Sequence, residues 1–324
     1  MSDIPSDAIE VAIIGGGPAG LTAAGTLARQ LHTAVVFDTK TYRNRNASHM
    51  HMIPTWDHRD PQEFRAEARR NILANYSTIQ FADVGVTRVE KLSGSKFKVL
   101  DESGKEWNVK KLLLAVGSSD TYPEIEGYES LWGRRIYQCL YCHGYEDRGR
   151  EGSGILAVAP VLMPAVIVHV AKNAAQLTKQ VTVYTHGNQE LAAELAAISE
   201  SLYVVEARKI KRLVASGEGS SSVMVELEDG TSREEAFLVH SPKTGVQGPF
   251  VEQLGLKTTA MGNLEAEAPF FVTSERGVFA AGDCVTPYKV AAGAISSGCT
   301  AAVGVSSQLQ AEKFGYPTMY AALN

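Results

Sequence analysis

A run of small residues near the start of the chain most constrains its fold. Apolar residues from Val11 to Ile14 lead directly into the sequence Gly15-Gly16-Gly17-Pro18-Ala19-Gly20. Apolar side chains then recur at helical spacing, at Leu21, Ala24, Leu27, Ala28 and Leu31. The pattern predicts a buried parallel strand, a glycine turn and a helix, which is the unit that opens a dinucleotide-binding domain.

The small residues of this turn suit the binding of a diphosphate. Because Gly15 and Gly17 have no Cβ, the backbone can approach a pyrophosphate closely, and Gly20 allows tight packing of the helix on the sheet. The N-terminus of the helix, at Pro18 and Ala19, supplies a favourable dipole and the amide groups that follow Pro18. A glycine turn without any ligand is the structural alternative.

The next strand ends in the acidic residue that such a unit needs. Residues 33–37 predict a strand, and Asp38 follows it, 18 residues after Gly20. A carboxylate at this point of the fold accepts a hydrogen bond from a ribose hydroxyl. We therefore predict that the glycine turn and Asp38 bind a dinucleotide.

Two later segments, residues 111–118 and 277–283, indicate which dinucleotide is bound. Each predicts a buried strand that ends in a small-residue turn, and a helical stretch follows the second from about Val290. The two turns hold four further candidate cofactor contacts, Ala115, Gly117, Gly282 and Asp283.

This three-part pattern resembles the FAD-binding reductases that are built from two dinucleotide-binding folds. The resemblance implies that Asp283 binds the ribityl chain of the flavin and that the helix from Val290 points its N-terminus at the isoalloxazine ring. A helix dipole there stabilises the negative charge of a reduced flavin. The expected cofactor is therefore FAD.

Two cysteines at C-x-x-C spacing lie in the middle of the chain, in the sequence Cys139-Leu140-Tyr141-Cys142-His143. Such thiols can exchange with the sulfur of a substrate and pass its electrons on. The order of motifs resembles the thioredoxin reductase branch over essentially the whole chain. This implies an α/β fold of two Rossmann-like domains, and a homodimer.

The resemblance also implies the domain ranges. The first domain is discontinuous and comprises residues 1–118 and 245–324, which would bind FAD. Residues 119–244 would form the second domain, which carries the C-x-x-C motif and is expected to be a degenerate NADPH-type domain.

The second domain departs from that family in two places that concern NADPH. The expected glycine loop is replaced by residues 159–165, Ala-Pro-Val-Leu-Met-Pro-Ala, in which side chains and prolines would block a pyrophosphate. The expected arginines for the 2′-phosphate are missing from residues 185–190. We predict that NADPH binding is lost, and binding through an unusual loop is the alternative.

A third departure places His143 where the family has an acidic residue. An imidazole with an ordinary pKa of about 6.5 suits deprotonation of a thiol at neutral pH, so we predict that His143 is the general base. A histidine that only packs is the alternative. The motif from Cys139 to Glu146 resembles the gliotoxin and holomycin oxidases, which close a disulfide within a small molecule.

This second resemblance implies a mechanism. Cys139 would form the mixed disulfide with a small-molecule dithiol, and Cys142 would be the cysteine next to the flavin. Molecular oxygen would accept the electrons and give hydrogen peroxide. Two other functions stay open: a disulfide reductase fed by NADPH or ferredoxin, and a flavoprotein that binds a dithiol without turnover.

Three histidines, His49, His51 and His58, lie within a ten-residue segment and raise the question of a metal site. Suitable thiol or carboxylate partners are not recognisable from the spacing, so we predict no metal and a loop that covers flavin and substrate. Arg45 and Asn46 are its predicted FAD neighbours. The C-x-x-C-H sequence also matches the attachment motif of c-type haem, which the FAD pattern disfavours.

The composition argues against several partners and locations. The 324 residues carry a formal net charge of −5 and no block of like charges, so nothing indicates binding of nucleic acid or of an acidic membrane surface. No apolar run approaches the ~20 residues of a membrane helix. The four cysteines are too few for a secreted disulfide scaffold, so we expect a cytoplasmic protein. Because free cysteines are commonly buried, we expect Cys299 to be packed in a helix.

Overall fold

The computed structural model describes residues 8–94, 96–199, 201–217 and 222–324. The strands, numbered β1 to β20, are Val11–Ile14, Ala34–Phe37, Ile79–Ala82, Val86–Leu92, Lys96–Asp101, Glu106–Val109, Lys111–Leu114, Ser118–Thr121, Ile136–Tyr137, Gly152–Leu156, Gln180–Tyr184, Val204–Glu206, Ile210–Ala215, Val223–Leu227, Ser232–Glu235, Leu238–Val239, Lys243–Val246, Ala266–Glu267, Val272–Thr273 and Val278–Ala280. The helices, α1 to α7, are Pro18–Ala28, Pro61–Asn75, Tyr128–Leu131, Pro164–Ala175, Gln189–Ile198, Phe250–Leu254 and Ala291–Phe314. Short 3-10 helices lie at Tyr145–Asp147, Gly282–Val285 and Ala321–Leu323.

The chain forms two compact units. The first unit comprises Met1–Arg45, Asp60–Ser119 and Thr244–Asn324, and the second unit comprises Asn46–Arg59 and Asp120–Lys243. Within the described residues, no helix has both the length and the apolar character needed to cross a bilayer. The turn between β13 and β14, which the sequence suggests as a hairpin loop at 217–222, lies mostly outside the described residues.

Residues 46–59 differ from the predicted domain ranges, since they pack in the second unit although the sequence prediction put them in the first domain. The side chain of Asn46 donates a hydrogen bond to the backbone oxygen of Trp132 at 3.1 Å. Asn46 also lies against Gly133, where an added Cβ would be 3.2 Å from the Asn46 Cβ. These contacts hold the start of the segment in the second unit.

The core of the first unit is a seven-stranded sheet in the order β18-β19-β20-β7-β1-β2-β3. The five strands from β20 to β3 are parallel, and β18 and β19 form an antiparallel edge. Helices α1 and α7 cover one face, and the antiparallel sheet of β4, β5 and β6 covers the other. Because both faces are buried, β1, β2 and β7 consist entirely of buried residues.

The second unit has the same plan around a smaller sheet. Its five strands are all parallel, in the order β12-β11-β10-β16-β9. Helices α4 and α5 pack on one face through buried residues such as Ile167 and Leu195. The other face packs on the antiparallel sheet of β13, β14 and β15. The predicted α/β class with two Rossmann-like sheets is therefore confirmed.

A buried histidine lies in the core of the second unit. His240 is 2% exposed, its Nδ1 accepts a hydrogen bond from the Tyr128 hydroxyl at 2.7 Å, and its Nε2 faces the Val158 oxygen at 3.4 Å. Burial lowers the pKa of His240 to about 4, although the nearby backbone oxygens raise it in part. The imidazole is therefore neutral in the folded protein at neutral pH.

We predict that acid destabilises the protein in part through His240. Its pKa lies below the unfolded value of 6.5, so its contribution to stability is complete above pH 6.5 and is lost as the pH falls towards 4. At pH 5 the loss amounts to about 2 kcal/mol. His240→Gln should therefore lose less unfolding free energy than the wild type between pH 7.5 and 5 in urea titrations. His169→Gln, at an exposed histidine of α4, is the control. An equal loss of unfolding free energy between pH 7.5 and 5 in all three proteins would contradict the prediction.

Candidate active site and cofactor site

One edge of the first sheet gathers most of the predicted cofactor contacts. Strands β1, β2, β7 and β20 are parallel, so the loops that follow them leave from the same edge. These loops and the start of α1 hold Gly15, Gly17, Pro18, Ala19, Gly20, Asp38, Ala115, Gly117, Gly282 and Asp283. The carboxyl edge of such a sheet is where dinucleotides bind.

The glycine turn between β1 and α1 has the geometry that a diphosphate site needs. Gly15 has a φ of +116°, and an added Cβ would lie 2.2 Å from the Ala115 oxygen. A Cβ on Gly20 would lie 1.9 Å from the Gly15 oxygen, whereas one on Gly17 would meet no atom within 4 Å. Gly15 and Gly20 are thus required by packing. The open space at Gly17, in front of the helix N-terminus, fits a diphosphate.

Asp38 lies directly after β2 and is 6% exposed. Its Oδ2 accepts a hydrogen bond from the Tyr42 hydroxyl at 2.7 Å, and its Oδ1 accepts one from the Lys40 amide at 2.9 Å. Burial and this carboxylate raise the pKa of Tyr42. A carboxylate has about four acceptor positions, so Asp38, oriented by these two donors, can also accept a ribose hydroxyl.

The turn between β20 and α7 is held by a lysine that the sequence analysis missed. The Lys289 ammonium lies 2.8 Å from the Asp283 backbone oxygen and 2.9 Å from the Thr286 oxygen. It lies 3.0 Å from both Ser118 Oγ and Asn263 Oδ1. Four oxygens around one ammonium fix the path of the chain between the Asp283 turn and α7. No motif signals this role, because the partners are far apart in the sequence.

The remaining predicted flavin neighbours occupy different settings. Val290 is the N-cap residue of α7. Arg45 is exposed in the first unit, and its guanidinium donates to the Tyr42 oxygen at 3.3 Å. Asn46 belongs to the second unit and donates to the Trp132 oxygen. Their contact with FAD stays a prediction.

The cysteine pair lies in a tight turn of the second unit. Cys139 and Cys142 form a disulfide with their Cα atoms 5.3 Å apart. The Cys142 amide donates a hydrogen bond to Cys139 Sγ at 3.1 Å, and the His143 amide lies 3.2 Å from the Cys139 oxygen. An amide directed at the sulfur stabilises negative charge on Cys139 when the disulfide opens. Both cysteines are half-buried.

The His143 ring stacks on the ring of Tyr137, with centroids 4.7 Å apart and an interplanar angle of 18°. The Tyr137 hydroxyl donates to the Arg134 oxygen at 2.6 Å, which anchors the stack. Among the described residues, neither nitrogen of the His143 ring has a hydrogen-bond partner. The imidazole is therefore oriented by stacking and has both nitrogens available for hydrogen bonding to a substrate.

The pKa of His143 differs from the value that the sequence suggests. It is lowered from 6.5 to about 4, mainly by burial and then by His51 and His49, while the charge of Glu146 acts in the opposite direction. The expectation of an imidazole with a pKa near neutrality is therefore wrong for the oxidised protein. His143 is neutral at physiological pH and can accept a proton, as a weaker base than predicted.

The histidine loop brings two carboxylates to two imidazoles. His51 lies 3.2 Å from Asp57 through Nδ1 and 3.4 Å from Glu146 through Nε2. His58 lies 3.3 Å from Asp57 and 3.8 Å from Glu146. The two imidazole rings meet edge to face, with centroids 4.6 Å apart. Glu146, from the segment after the cysteines, was not recognisable as a partner in the sequence.

The loop that would bind the NADPH diphosphate differs from its counterpart in the first unit. In the first unit residues 15–17 separate β1 from α1, whereas in the second unit residues 157–163 separate β10 from α4. The longer loop presents Leu162 and Met163, which are 43% and 66% exposed, directly before α4. Helix α4 begins with Pro164, as α1 begins with Pro18, so the difference between the two units lies in the loop and not in the first residue of the helix.

The turn after β11 is where the 2′-phosphate of NADPH would lie. Its residues make hydrogen bonds within the protein. His186 Nδ1 accepts a hydrogen bond from the Ile210 amide at 3.0 Å, and Asn188 caps α5 by accepting from the Leu191 amide. Burial and then the charge of Lys209 lower the pKa of His186. Lys209, whose stem lies against the turn, is a cation that the sequence analysis did not weigh.

The other two cysteines are free. Cys284 is fully buried, and burial raises its pKa to about 12, so it stays protonated. Cys299 lies on α7 as expected, but it is exposed, so the prediction that it packs in the interior is wrong. The helix turns this position away from its packed face.

A dinucleotide site of the flavin type and a disulfide with a neighbouring histidine define the class of flavin-dependent disulfide oxidoreductases. Residues 9–298 match the family described as pyridine nucleotide-disulphide oxidoreductase, and the chain belongs to this family. It is a flavin-dependent thiol oxidoreductase with FAD as its cofactor, which confirms the predicted enzyme class and cofactor.

Individual relatives support the same class. The chain is 44% identical over 301 residues to thioredoxin reductase aclD of Aspergillus oryzae, covering 92% of this chain and 95% of that protein. It is 38% identical over 315 residues to thioredoxin reductase sirT of Leptosphaeria maculans, covering 95% and 96%. An oxidoreductase structure from Agrobacterium tumefaciens is 32% identical with a TM-score of 0.81, covering 94% and 99%. The resemblance to thioredoxin reductases is confirmed.

We predict that Lys289→Met weakens the binding of FAD, since the Asp283 turn loses the ammonium that holds it. A lost charged hydrogen-bond donor costs about 1–3 kcal/mol, so the Kd for FAD should rise by about tenfold. The Kd is measured by the quenching of flavin fluorescence on titration of apoprotein. Lys257→Met, at an exposed lysine of the same unit, is the control, and an equal Kd in both variants would contradict the role of Lys289.

Proposed function

We propose that the protein is a dithiol oxidase that closes a disulfide within a small-molecule natural product. The observation that carries the proposal is the combination of a Cys139–Cys142 disulfide next to His143 with a second-unit loop that does not fit a pyridine nucleotide diphosphate. A reductase in this family would need that loop to receive electrons. An enzyme that takes its electrons from the substrate thiols does not.

The first step is attack of a substrate thiol on Cys139. His143 accepts the proton of that thiol, the substrate sulfur bonds to Cys139 Sγ, and Cys142 leaves as a thiolate. A pKa of about 4 makes His143 a weak base in the oxidised protein. The new thiolate on the adjacent residue offsets this, because a nearby negative charge stabilises the imidazolium.

The second step releases the product. The second substrate thiol passes its proton to the Cys142 thiolate and attacks the substrate sulfur of the mixed disulfide, and Cys139 leaves as a thiolate that takes up the proton held by His143. The Cys142 amide, 3.1 Å from Cys139 Sγ, donates to this leaving sulfur and favours its departure. The substrate dithiol has then become a disulfide, and the protein disulfide has become a dithiol.

Bound FAD would supply the acceptor for the two electrons of the protein dithiol, and molecular oxygen would be the final acceptor, with hydrogen peroxide as the product. Each turnover then consumes one dithiol and one oxygen and yields one disulfide and one hydrogen peroxide. The residues that would hold the cofactor are the glycine turn, Asp38, the small residues after β7 and the Asp283 turn.

The resemblance of the Cys139–Glu146 motif to the gliotoxin and holomycin oxidases supports the substrate class. A reduced epidithiodiketopiperazine, in which two thiols are held close together, presents the second thiol at once to the mixed disulfide. The fungal origin of both relatives named above agrees with such a pathway. A cytoplasmic location and a homodimer remain parts of the same proposal.

A disulfide reductase is the second candidate, and one observation favours it. Lys209 lies beside the turn after β11, where its ammonium could pair with a phosphate. The relatives are also named thioredoxin reductases. Against this, residues 157–163 do not offer the close backbone approach that the diphosphate of NADPH needs.

We predict that a reduced epidithiodiketopiperazine drives oxygen uptake with an equal amount of hydrogen peroxide, measured with an oxygen electrode and a peroxide assay. Cys142→Ser should lower turnover at least 100-fold, because the protein disulfide cannot form. Cys299→Ser, at the exposed cysteine of α7, should keep wild-type turnover. Rapid reduction of the flavin by NADPH, with electron transfer to thioredoxin, would contradict the proposal and support the reductase.

We predict that His143→Asn lowers the rate of flavin reduction by the same dithiol about 100-fold or more, as expected for loss of a general base. The base form of His143 persists down to a pH of about 4, so the wild-type rate should show no acid limb near pH 6.5. Anaerobic stopped-flow measurements from pH 4 to 8 test this. An inflection near pH 6.5 that disappears in the variant would contradict the low pKa.

A further inference from the structure

We propose that His51, Asp57, His58 and Glu146 form a binding site for a divalent transition metal of the Zn²⁺ type in the second unit. The proposal does not depend on the proposed function, since it concerns ligands other than the two cysteines and His143. It uses two imidazoles and two carboxylates, which are common ligands of Zn²⁺.

The donor atoms have the spacing of a metal site. One ligand atom each from His51, Asp57 and His58 can be chosen so that all lie within 4.8 Å of one another. The Glu146 oxygen lies 3.4 Å from His51 Nε2 and 3.8 Å from His58 Nδ1. Ligand atoms around a tetrahedral Zn²⁺ with bonds of about 2.0–2.1 Å are about 3.3 Å apart. Asp57 and Glu146 face different nitrogens of each imidazole, so His51, Asp57 and His58 form the core of the site, and Glu146 joins them after its side chain turns.

The backbone holds the three loop ligands in place. The Met50 amide donates to the Arg59 oxygen at 2.8 Å and closes the segment between them. The Met52 amide donates to Asp57 Oδ1 at 3.2 Å, and the guanidinium of Arg59 stacks over the Trp56 ring at 3.5 Å. A loop that is already ordered loses less conformational entropy when an ion binds.

Charge and ligand type select the ion. As metal ligands, two carboxylates and two imidazoles contribute a net charge of −2, which balances a divalent cation. Within the described residues, the charged partners of Asp57 and Glu146 are these two imidazoles, with no lysine or arginine in ion-pair distance. Imidazole ligands favour Zn²⁺ and its neighbours over Mg²⁺ and Ca²⁺, which prefer sites made only of oxygen.

Glu146 links this site to the segment of the cysteines, because it follows Cys142 by four residues on the 3-10 helix Tyr145–Asp147. A reduced C-x-x-C pair also binds Zn²⁺ through its thiolates. The test therefore uses the FAD-loaded protein with the Cys139–Cys142 disulfide intact, so that these sulfurs are not available as ligands.

The first measurement is equilibrium dialysis of the oxidised holoenzyme against Zn²⁺, with metal determined by mass spectrometry. We expect one Zn²⁺ per chain and no displacement by a hundredfold excess of Mg²⁺. His58→Gln and Asp57→Asn should each raise the Kd for Zn²⁺ at least tenfold, since each removes a ligand. His169→Gln, at an exposed histidine of α4 in the same unit, should bind as the wild type does.

The second measurement is X-ray absorption at the zinc edge of the same sample. We expect nitrogen and oxygen neighbours at about 2.0–2.1 Å with the scattering pattern of two imidazoles. Sulfur at about 2.3 Å would assign the ion to thiolates and overturn the proposal. Equal Zn²⁺ binding by the wild type, His58→Gln and Asp57→Asn would also overturn it and leave a hydrogen-bonded network without metal.

Discussion

The first unit depends on three positions at which the backbone of one element touches the backbone of another. An added Cβ would lie 2.2 Å from the Ala115 oxygen at Gly15, 1.9 Å from the Gly15 oxygen at Gly20, and 2.2 Å from the Ala19 oxygen at Gly298. Such approaches exclude every side chain, so only glycine permits them. They bring β1, β7, α1 and α7 together at the edge of the sheet where the predicted cofactor contacts converge. The residues that permit this packing are therefore among those predicted to bind the cofactor.

The second unit repeats the fold of the first but has a different loop at the position of the glycine turn. Its parallel sheet and its helices α4 and α5 repeat the plan of the first unit, yet residues 157–163 replace a three-residue glycine turn. The longer loop places the side chains of Leu162 and Met163 directly before α4. Packing of the sheet does not require a short loop, so the fold persists. A dinucleotide-type fold alone therefore does not imply binding of a pyridine nucleotide.

The sequence predicted those features that depend on neighbouring residues, since local spacing determines them. The glycine turn, the acid after β2 and the cysteine pair belong to this group. Lys289 was missed because its oxygen partners come from residues as distant as Ser118, and no spacing records that contact. The grouping of residues 46–59 with the second unit was missed for the same reason. The pKa of His143 and the exposure of Cys299 depend on the surroundings of each residue in the folded chain. Neither property follows from the neighbours in the sequence.

The low pKa of His143 limits how the thiol chemistry can proceed. A base with a pKa of about 4 cannot hold the proton of a free thiol, with a pKa of about 8.5, unless a negative charge forms nearby in the same step. In the proposed mechanism, opening of the disulfide supplies that charge at Cys142, so proton transfer and sulfur attack are coupled. Stacking on Tyr137 keeps the imidazole in one orientation while the charge changes. A neutral resting histidine also leaves the disulfide without an adjacent positive charge, so the thiolate and the imidazolium stabilise each other only after substrate has attacked.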